Sequence, residues 1–265
     1  MSEPVTAAKC GALLDALRVK KPLVHFITNY VTVNDCANIT LAVGGAPVMS
    51  DQPDDAAEIC RLASALVFNI GTPGDRTLEA MLRAGKAANE AGIPVVLDPV
   101  GAGASSFRNR LLEKLLEEVK FAAVKGNISE IRFLASGTGK SMGVDASKDD
   151  IALGSDSSAV ARLAAGLSRG IGAVVIVSGR IDVAADGERA YGISNGDAMM
   201  GRLTGTGCMG SGVVASFLGA APSEPLASSI AGMCVMGLAG ELARKKLAPS
   251  SGTGTYRTLL MDEVS

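Results

Sequence analysis

Apolar and polar positions along the chain fall into short blocks of two periods. Residues 7–20 carry apolar side chains at helical spacing, and 23–28 is an almost unbroken apolar run, a strand pattern with His25 inside it. The polar stretch 29–35 reads as a loop, 36–43 as a helix stopped by Gly44-Gly45, and 46–49 as a short extended piece. The alternation continues with helix 54–63, strand 65–70, helix 77–91 ending at Gly92, strands 94–98 and 121–125, and a helix opened by Asn127. Residues 136–157, rich in Gly, Ser and Asp, read as a surface connection. Helix 158–167 and strand 173–178 follow, then two short runs around Asp186-Gly187 that predict a hairpin. A glycine-rich stretch from 203 to 212 opens onto the helical pattern Val213, Val214, Phe217, Leu218. A second buried helix runs toward Pro249, and a short helix after 256 closes the chain.

Strands alternating with helices, the middle strands continuously apolar, predict a mostly parallel sheet with helices on both faces. No linker, fixed-period repeat or low-complexity tract divides the chain, so 1–265 reads as one domain. Ligands of such sheets bind beyond the carboxyl ends of the strands. Polar groups collect at those ends: Asn29, Asp98, Lys125-Gly-Asn127 and Ser178-Gly-Arg180.

Composition narrows the classes. With 48% apolar and 20% charged residues the chain is not disordered. A net charge of −2 without a basic run, with three Tyr, six Phe and no Trp, argues against nucleic-acid and anionic-membrane partners. Five cysteines, an odd number with no CxxC, suit a reduced cytoplasmic compartment. The opening Met-Ser-Glu-Pro-Val-Thr has no signal-peptide pattern. Residues 203–223 and 226–240 are uncharged, but the first is loaded with glycine and the second is short for a membrane span, so both predict buried helices.

The glycine stretch is the first candidate site. Thr204 and Thr206 are capping types, a helix start offers free N–H groups and positive partial charge to an anion, and glycine admits a ligand to the backbone. Gly205-Thr-Gly-Cys-Met-Gly210 matches a dinucleotide fingerprint, yet it lies far from the first strand, where that fold carries it. Gly137-Thr-Gly-Lys-Ser141 has the tail of a P-loop, with Leu134 where the pattern needs Gly. Cys208 follows two glycines at a helix start, a setting that lowers a thiol pKa; the alternative is a small residue allowing close packing. Asp98-Pro-Val-Gly-Ala-Gly103 puts a carboxylate at the end of a buried strand, suited to hydrated Mg²⁺ or to capping a turn. Asn127 and Glu130 have capping-box spacing, which is compatible with an acidic role at the cleft. His25, the one histidine, reads as a satisfied core or pocket-wall residue. The chain has no Gly-x-Ser-x-Gly elbow and no His/Cys cluster for zinc. Cys10, Cys36, Cys60 and Cys234 read as inert core thiols.

Taken in order, Asp98-Pro-Val-Gly-Ala-Gly103, Lys125-Gly-Asn-Ile-Ser-Glu130 and Thr204-Gly-Thr-Gly-Cys-Met209 resemble the motifs of the hydroxyethylthiazole kinase family of the ribokinase-like superfamily. Val24-His-Phe-Ile-Thr-Asn-Tyr-Val31, Pro47-Val-Met-Ser50, Asn69-Ile-Gly-Thr72 and Gly252-Thr-Gly-Thr-Tyr256 extend the likeness over nearly the whole chain. The resemblance implies a three-layer ribokinase-like α/β fold. It implies ATP-dependent phosphorylation of the primary alcohol of 4-methyl-5-(2-hydroxyethyl)thiazole, a step of thiamine salvage. Carried over residue by residue, Asp98 and Glu130 serve Mg²⁺, directly or through water. Lys125, Ser178, Asn127 and Gly207 contact ATP. Met49, Gly205 and Asn29 contact the thiazole, with His25 nearby. Cys208 occupies the seat where many relatives in the superfamily carry an aspartate base. A homotrimer with its pockets at subunit interfaces is implied as well.

Three departures stand out. Lys125 is where the family often has Arg, which keeps the charge and loses the bidentate fork. Ser178 is where Thr is common, and the hydroxyl survives. Met142-Gly-Val-Asp145 replaces the usual Lys-Gly-Val-Asp, with Lys140 displaced. Two other readings share the fold: a non-catalytic nucleotide-binding module, and a dehydratase-type relative acting on a nicotinamide nucleotide.

Overall fold

The computed structural model describes residues 4–136 and 156–265. The interior of the polar connection, with the P-loop-like 137–141 and Met142-Gly-Val-Asp145, lies outside them. The centre is an eight-stranded sheet in the order β2-β1-β3-β4-β5-β6-β7-β8. Its strands are β1 (Leu23–Ile27), β2 (Ala46–Met49), β3 (Ala65–Asn69), β4 (Val95–Asp98), β5 (Ala123–Asn127), β6 (Val174–Ser178), β7 (Asp182–Ala185) and β8 (Ala190–Ile193). β2 through β6 run parallel, and the hairpin predicted around Asp186-Gly187 adds β7 and β8 antiparallel at one edge. The mostly parallel sheet is thus as expected.

The two sheet faces carry different layers. On one, Leu66, Phe68 and Leu97 pack with α3 (Pro53–Leu62), α4 (Asp75–Ala91), α5 (Ser106–Glu118), α6 (Ile128–Ala135) and α7 (Ser157–Ile171), through Cys60, Met81, Leu112, Ile131 and Ala164. On the other, Phe26, Val67, Val96 and Ile176 pack against α8 (Thr206–Ala220) and α9 (Pro225–Lys246). Behind these lie α1 (Ala7–Lys20), α2 (Val33–Val43) and α10 (Thr253–Val264), joined by Leu17, Ile39, Phe217, Met236 and Tyr256. Each fully buried Leu, Ile or Phe contributes roughly 1.5–3 kcal/mol. Helix α9 is long and apolar enough to cross a membrane, and most of it is buried against this core.

Several elements differ from the sequence pattern, among them β5, which holds Lys125 to Asn127 within the strand and not beyond it. Helix α5 was not anticipated; Ser105 caps it and Leu111, Leu112 and Leu115 bury its inner stripe. α2 starts at Val33, so the loop after β1 is shorter than 29–35. α8 starts at Thr206, so most of the glycine stretch is helix, not loop. Its N-cap is Gly205 at φ 95°, a left-handed backbone that glycine adopts freely, and neither Thr204 nor Thr206 provides a side-chain cap.

Candidate active site

The parallel pairing of β3 and β4 sets Asn69 directly opposite Asp98 at the carboxyl end of the sheet. Asn69 Nδ2 donates to Asp98 Oδ2 at 2.9 Å. α8 lies across these strand ends and delivers Cys208 and Ser211 from its first two turns. Ser211 Oγ donates to the same Asp98 oxygen at 2.9 Å. Cys208 Sγ accepts from Asn69 Nδ2 at 3.2 Å and from Asn29 Nδ2, beyond β1, at 3.5 Å. Asn29 Nδ2 also donates to Asn69 Oδ1 at 2.9 Å, and Asn29 Oδ1 accepts from both the backbone and the hydroxyl of Thr32. One chain of hydrogen bonds therefore joins β1, β3, β4 and α8.

Lys125, buried in β5, donates from Nζ to the Gly207 carbonyl at 2.9 Å. A Cβ at Gly210 would lie 3.2 Å from Lys125 Cε, and one at Gly212 would lie 3.1 Å from the Phe26 ring. Gly210 and Gly212 thus make room for neighbouring side chains, while a Cβ at Gly207 would come no closer than 3.8 Å to Lys125 Nζ. Next door, Asn127 and Glu130 form the predicted capping box: Asn127 accepts from the Glu130 amide at 3.0 Å, and Glu130 Oε2 accepts from the Asn127 amide at 2.8 Å. Glu130 Oε1 reaches across to the Gly101 amide at 3.0 Å and ties the turn after β4 to α6. Arg108 of α5 clasps the same region, donating to the carbonyls of Ile70, Gly71 and Val100.

Burial pushes Asp98 and Glu130 above the usual carboxylate range, while Lys125 pulls both back. Burial likewise raises the Cys208 thiol, and the Asp98 charge raises it further. The expectation of an acidified thiol is therefore reversed: the helix start is outweighed by desolvation and a like charge. As a donor set for a metal ion, Asp98 and Glu130 are two hard oxygen ligands. Asp98 takes both of its bonds on Oδ2, and among the described residues no third Cys, His, Asp or Glu joins the pair. That fits Mg²⁺, which keeps several of its own waters, and two buried carboxylates gain from a cation between them.

Of the predicted site residues, Asn29, Asp98, Lys125, Glu130, Gly207 and Cys208 come together here. Gly205 borders the cluster, and a Cβ there would meet Thr32 Cγ2 at 2.7 Å. Ser178 ends β6 opposite Asn127, and its hydroxyl donates to the Gly126 carbonyl at 3.3 Å. Met49 ends β2 and packs on the same apolar cluster as Cys208. His25 points to the other sheet face, where its ring bonds the Ser50 carbonyl at 2.8 Å. Among the described residues its Nδ1 has no partner, so it is half satisfied rather than the satisfied histidine expected. Cys36 and Cys60 are the inert core thiols expected, held near 12 and 11 by burial. Cys10 and Cys234 are half-buried neighbours instead, and their mutual hydrogen bond lowers the Cys10 pKa. Asn69, Ser211 and Thr32 were missed as site residues. The spacing of Ser211, three residues after Cys208 on one helix face, was the available signal.

A mostly parallel sheet covered on both faces, with a helix start, a lysine and two buried carboxylates at its carboxyl ends, is the layout of the ribokinase-like α/β fold. The hydroxyethylthiazole kinase family matches residues 14–265. A hydroxyethylthiazole kinase of Clostridium beijerinckii is 47% identical over 257 residues, covering 97% of this chain and 92% of that protein. The solved structure of a hydroxyethylthiazole kinase from Pyrococcus horikoshii superposes with a TM-score of 0.84 at 34% identity, covering 96% of this chain and 92% of that one. A ribokinase-like superfamily protein from Enterococcus faecalis shares the fold at 11% identity, with a TM-score of 0.61 over 95% of each chain. The chain belongs to the hydroxyethylthiazole kinase family.

Proposed function

We propose that this chain, as one domain in the cytoplasm, transfers the γ-phosphoryl group of ATP to the primary alcohol of 4-methyl-5-(2-hydroxyethyl)thiazole. The observation that carries the assignment to these residues is the first turn of α8, which brings Cys208 within 3.2 Å of the Asn69 amide that also holds Asp98. The alcohol oxygen attacks the γ-phosphorus as the bond to the β-phosphate oxygen breaks. The transition state is loose, so positioning and charge stabilisation matter more than a strong base. N–H groups at the start of α8 face the developing charge. Lys125 spends one N–H on Gly207 and has others to offer the phosphates, beside Asn127, Gly207 and Ser178. Cys208 stays a neutral thiol and orients the alcohol, whose proton passes late to an oxygen of the transferring phosphoryl group. Mg²⁺, when bound at Asp98 and through water at Glu130, supplies charge neutralisation to the phosphates.

Met49 and Gly205 border the thiazole. Asn29 shapes that side from behind, because its donors and acceptor are engaged within the protein. The family resemblance further supports a homotrimer in which neighbouring subunits complete the pocket. The direct test is ADP release with the thiazole alcohol as sole acceptor. Saturable turnover is expected. ATP binding without turnover would favour the non-catalytic module, and calorimetry showing no saturable binding of the thiazole alcohol would favour either alternative over the kinase.

A further inference from the structure

Asn69 has a place in this site that the proposed reaction, on which the following rests, leaves without a role. Its carboxamide is buried and saturated. One N–H goes to Asp98 Oδ2 at 2.9 Å and the other to Cys208 Sγ at 3.2 Å. Its oxygen accepts from the Gly71 amide at 2.9 Å and from Asn29 Nδ2 at 2.9 Å. A primary amide has two donors and an oxygen with two lone pairs, so nothing remains for a ligand. The orientation of the amide is forced, because it lies between a backbone N–H, which can only donate, and a carboxylate, which accepts when ionised. The fit is close: a Cβ at Gly71 would lie 3.0 Å from the Asn69 oxygen and 3.0 Å from Asn29 Cβ.

The bland role for such a residue is a turn, in which an asparagine oxygen holds the backbone two residues on. That role uses only the oxygen. The two N–H groups do something separate: they fix the carboxylate at the end of β4 and the sulfur at the start of α8 relative to each other. We propose that Asn69 is a positioning residue for phosphoryl transfer, whose carboxamide holds Asp98 and the Cys208 sulfur in one arrangement and links it through Asn29 to the substrate side.

Asn69→Asp separates the two roles. It conserves shape and the oxygen that accepts from Gly71 and Asn29, but replaces the donating nitrogen with an oxygen facing both Asp98 and Cys208. The change spares the oxygen that a turn uses and removes the two N–H groups that a positioning residue uses. We expect kcat to fall at least about 30-fold, with the KM for ATP within about twofold, since misplacement at a reacting centre costs rate more than nucleotide binding. A second readout needs no turnover. Alkylation of Cys208 by iodoacetamide, followed by peptide mass mapping, should slow several-fold in Asn69→Asp, because an N–H donor to sulfur is lost and negative charge is added without opening space. A kcat within threefold of wild type, or an unchanged alkylation rate, overturns the proposal. If Asn69→Asp does not fold, Asn69→Ala carries the same kcat test, with at least a tenfold loss expected; failure of both variants to fold makes the residue structural and also overturns it. A wild-type protein that does not phosphorylate the thiazole alcohol refutes the reaction instead, while the alkylation comparison still reports whether Asn69 holds the Cys208 sulfur.

Discussion

At position 208 the start of α8 favours a thiolate, while burial beside Asp98 opposes it, and the opposition wins. Removing the sulfur should therefore cost orientation, not a base. Cys208→Ala is expected to lower kcat by about 10- to 100-fold and leave ATP binding intact, as measured by calorimetry beside steady-state kinetics. Cys208→Asp should stay active, because the amides of Asn29 and Asn69 already aim N–H groups at that seat and a carboxylate accepts them better than sulfur does. An inert but folded aspartate variant would remove Cys208 from the mechanism. The wild-type rate should also show no rise near 9.0, where an unperturbed thiol ionises. Much of this site is legible at the residue scale: Asp98, Lys125 and Ser178 are polar residues at the ends of apolar runs, and Glu130 stands at capping-box spacing. Asn69 and Thr32 are not, because an asparagine inside the apolar run 65–70 reads as part of a strand and a threonine in a loop looks like a turn residue. Their roles come from strand order and register, which put β3 between β1 and β4, and no local pattern encodes that order.

The elements that carry these residues show where local preference gives way to packing. Glycine inside a helix costs about 1 kcal/mol against alanine, so a run holding Gly205, Gly207, Gly210 and Gly212 reads as loop. In the folded chain three of those glycines are helical, and at two of them, Gly210 and Gly212, a Cβ would crowd Lys125 and Phe26. Helix α5 was available to the same reading, since Phe107, Leu111, Leu112 and Leu115 recur at helical spacing behind Ser105. The capping box of α6 is the clearest agreement, and it has a further consequence. Glu130 accepts a backbone N–H on each carboxylate oxygen, and so fixes both the start of α6 and the turn at Gly101. In Glu130→Gln one of those amides faces an NH₂ group. The variant should lose roughly 1–3 kcal/mol of stability, the usual cost of leaving a buried donor unpaired. Thermal or urea unfolding reads that loss, and the same variant should need more Mg²⁺ for half-maximal activity. Wild-type stability with a shifted Mg²⁺ requirement would mean that the carboxylate serves only the metal.

Across the whole molecule, the described surface near the site keeps apolar side chains in water. Tyr30 is 78% exposed and Val31 60%, immediately after Asn29, and Leu41, 57% exposed, lies toward the far end of α2, the helix that follows them. Scattered exposed hydrophobics are ordinary, but side chains that flank a substrate cluster suit a surface covered by another subunit. A closed ring of three identical subunits would bury the same patch three times and bring each site against a neighbour. Light scattering coupled to gel filtration should then give three times 26.8 kDa for the wild type. Val31→Asp combined with Leu41→Glu changes exposed positions only, so each chain should keep its fold and its far-ultraviolet circular dichroism. Charge in the interface should release monomers and raise the KM for the thiazole alcohol at least tenfold, with a smaller change for ATP, whose proposed contacts are at Lys125, Asn127, Ser178 and Gly207. A monomeric variant with unaltered thiazole KM would show that one subunit makes the whole pocket, and that the exposed side chains beside Asn29 serve something other than assembly.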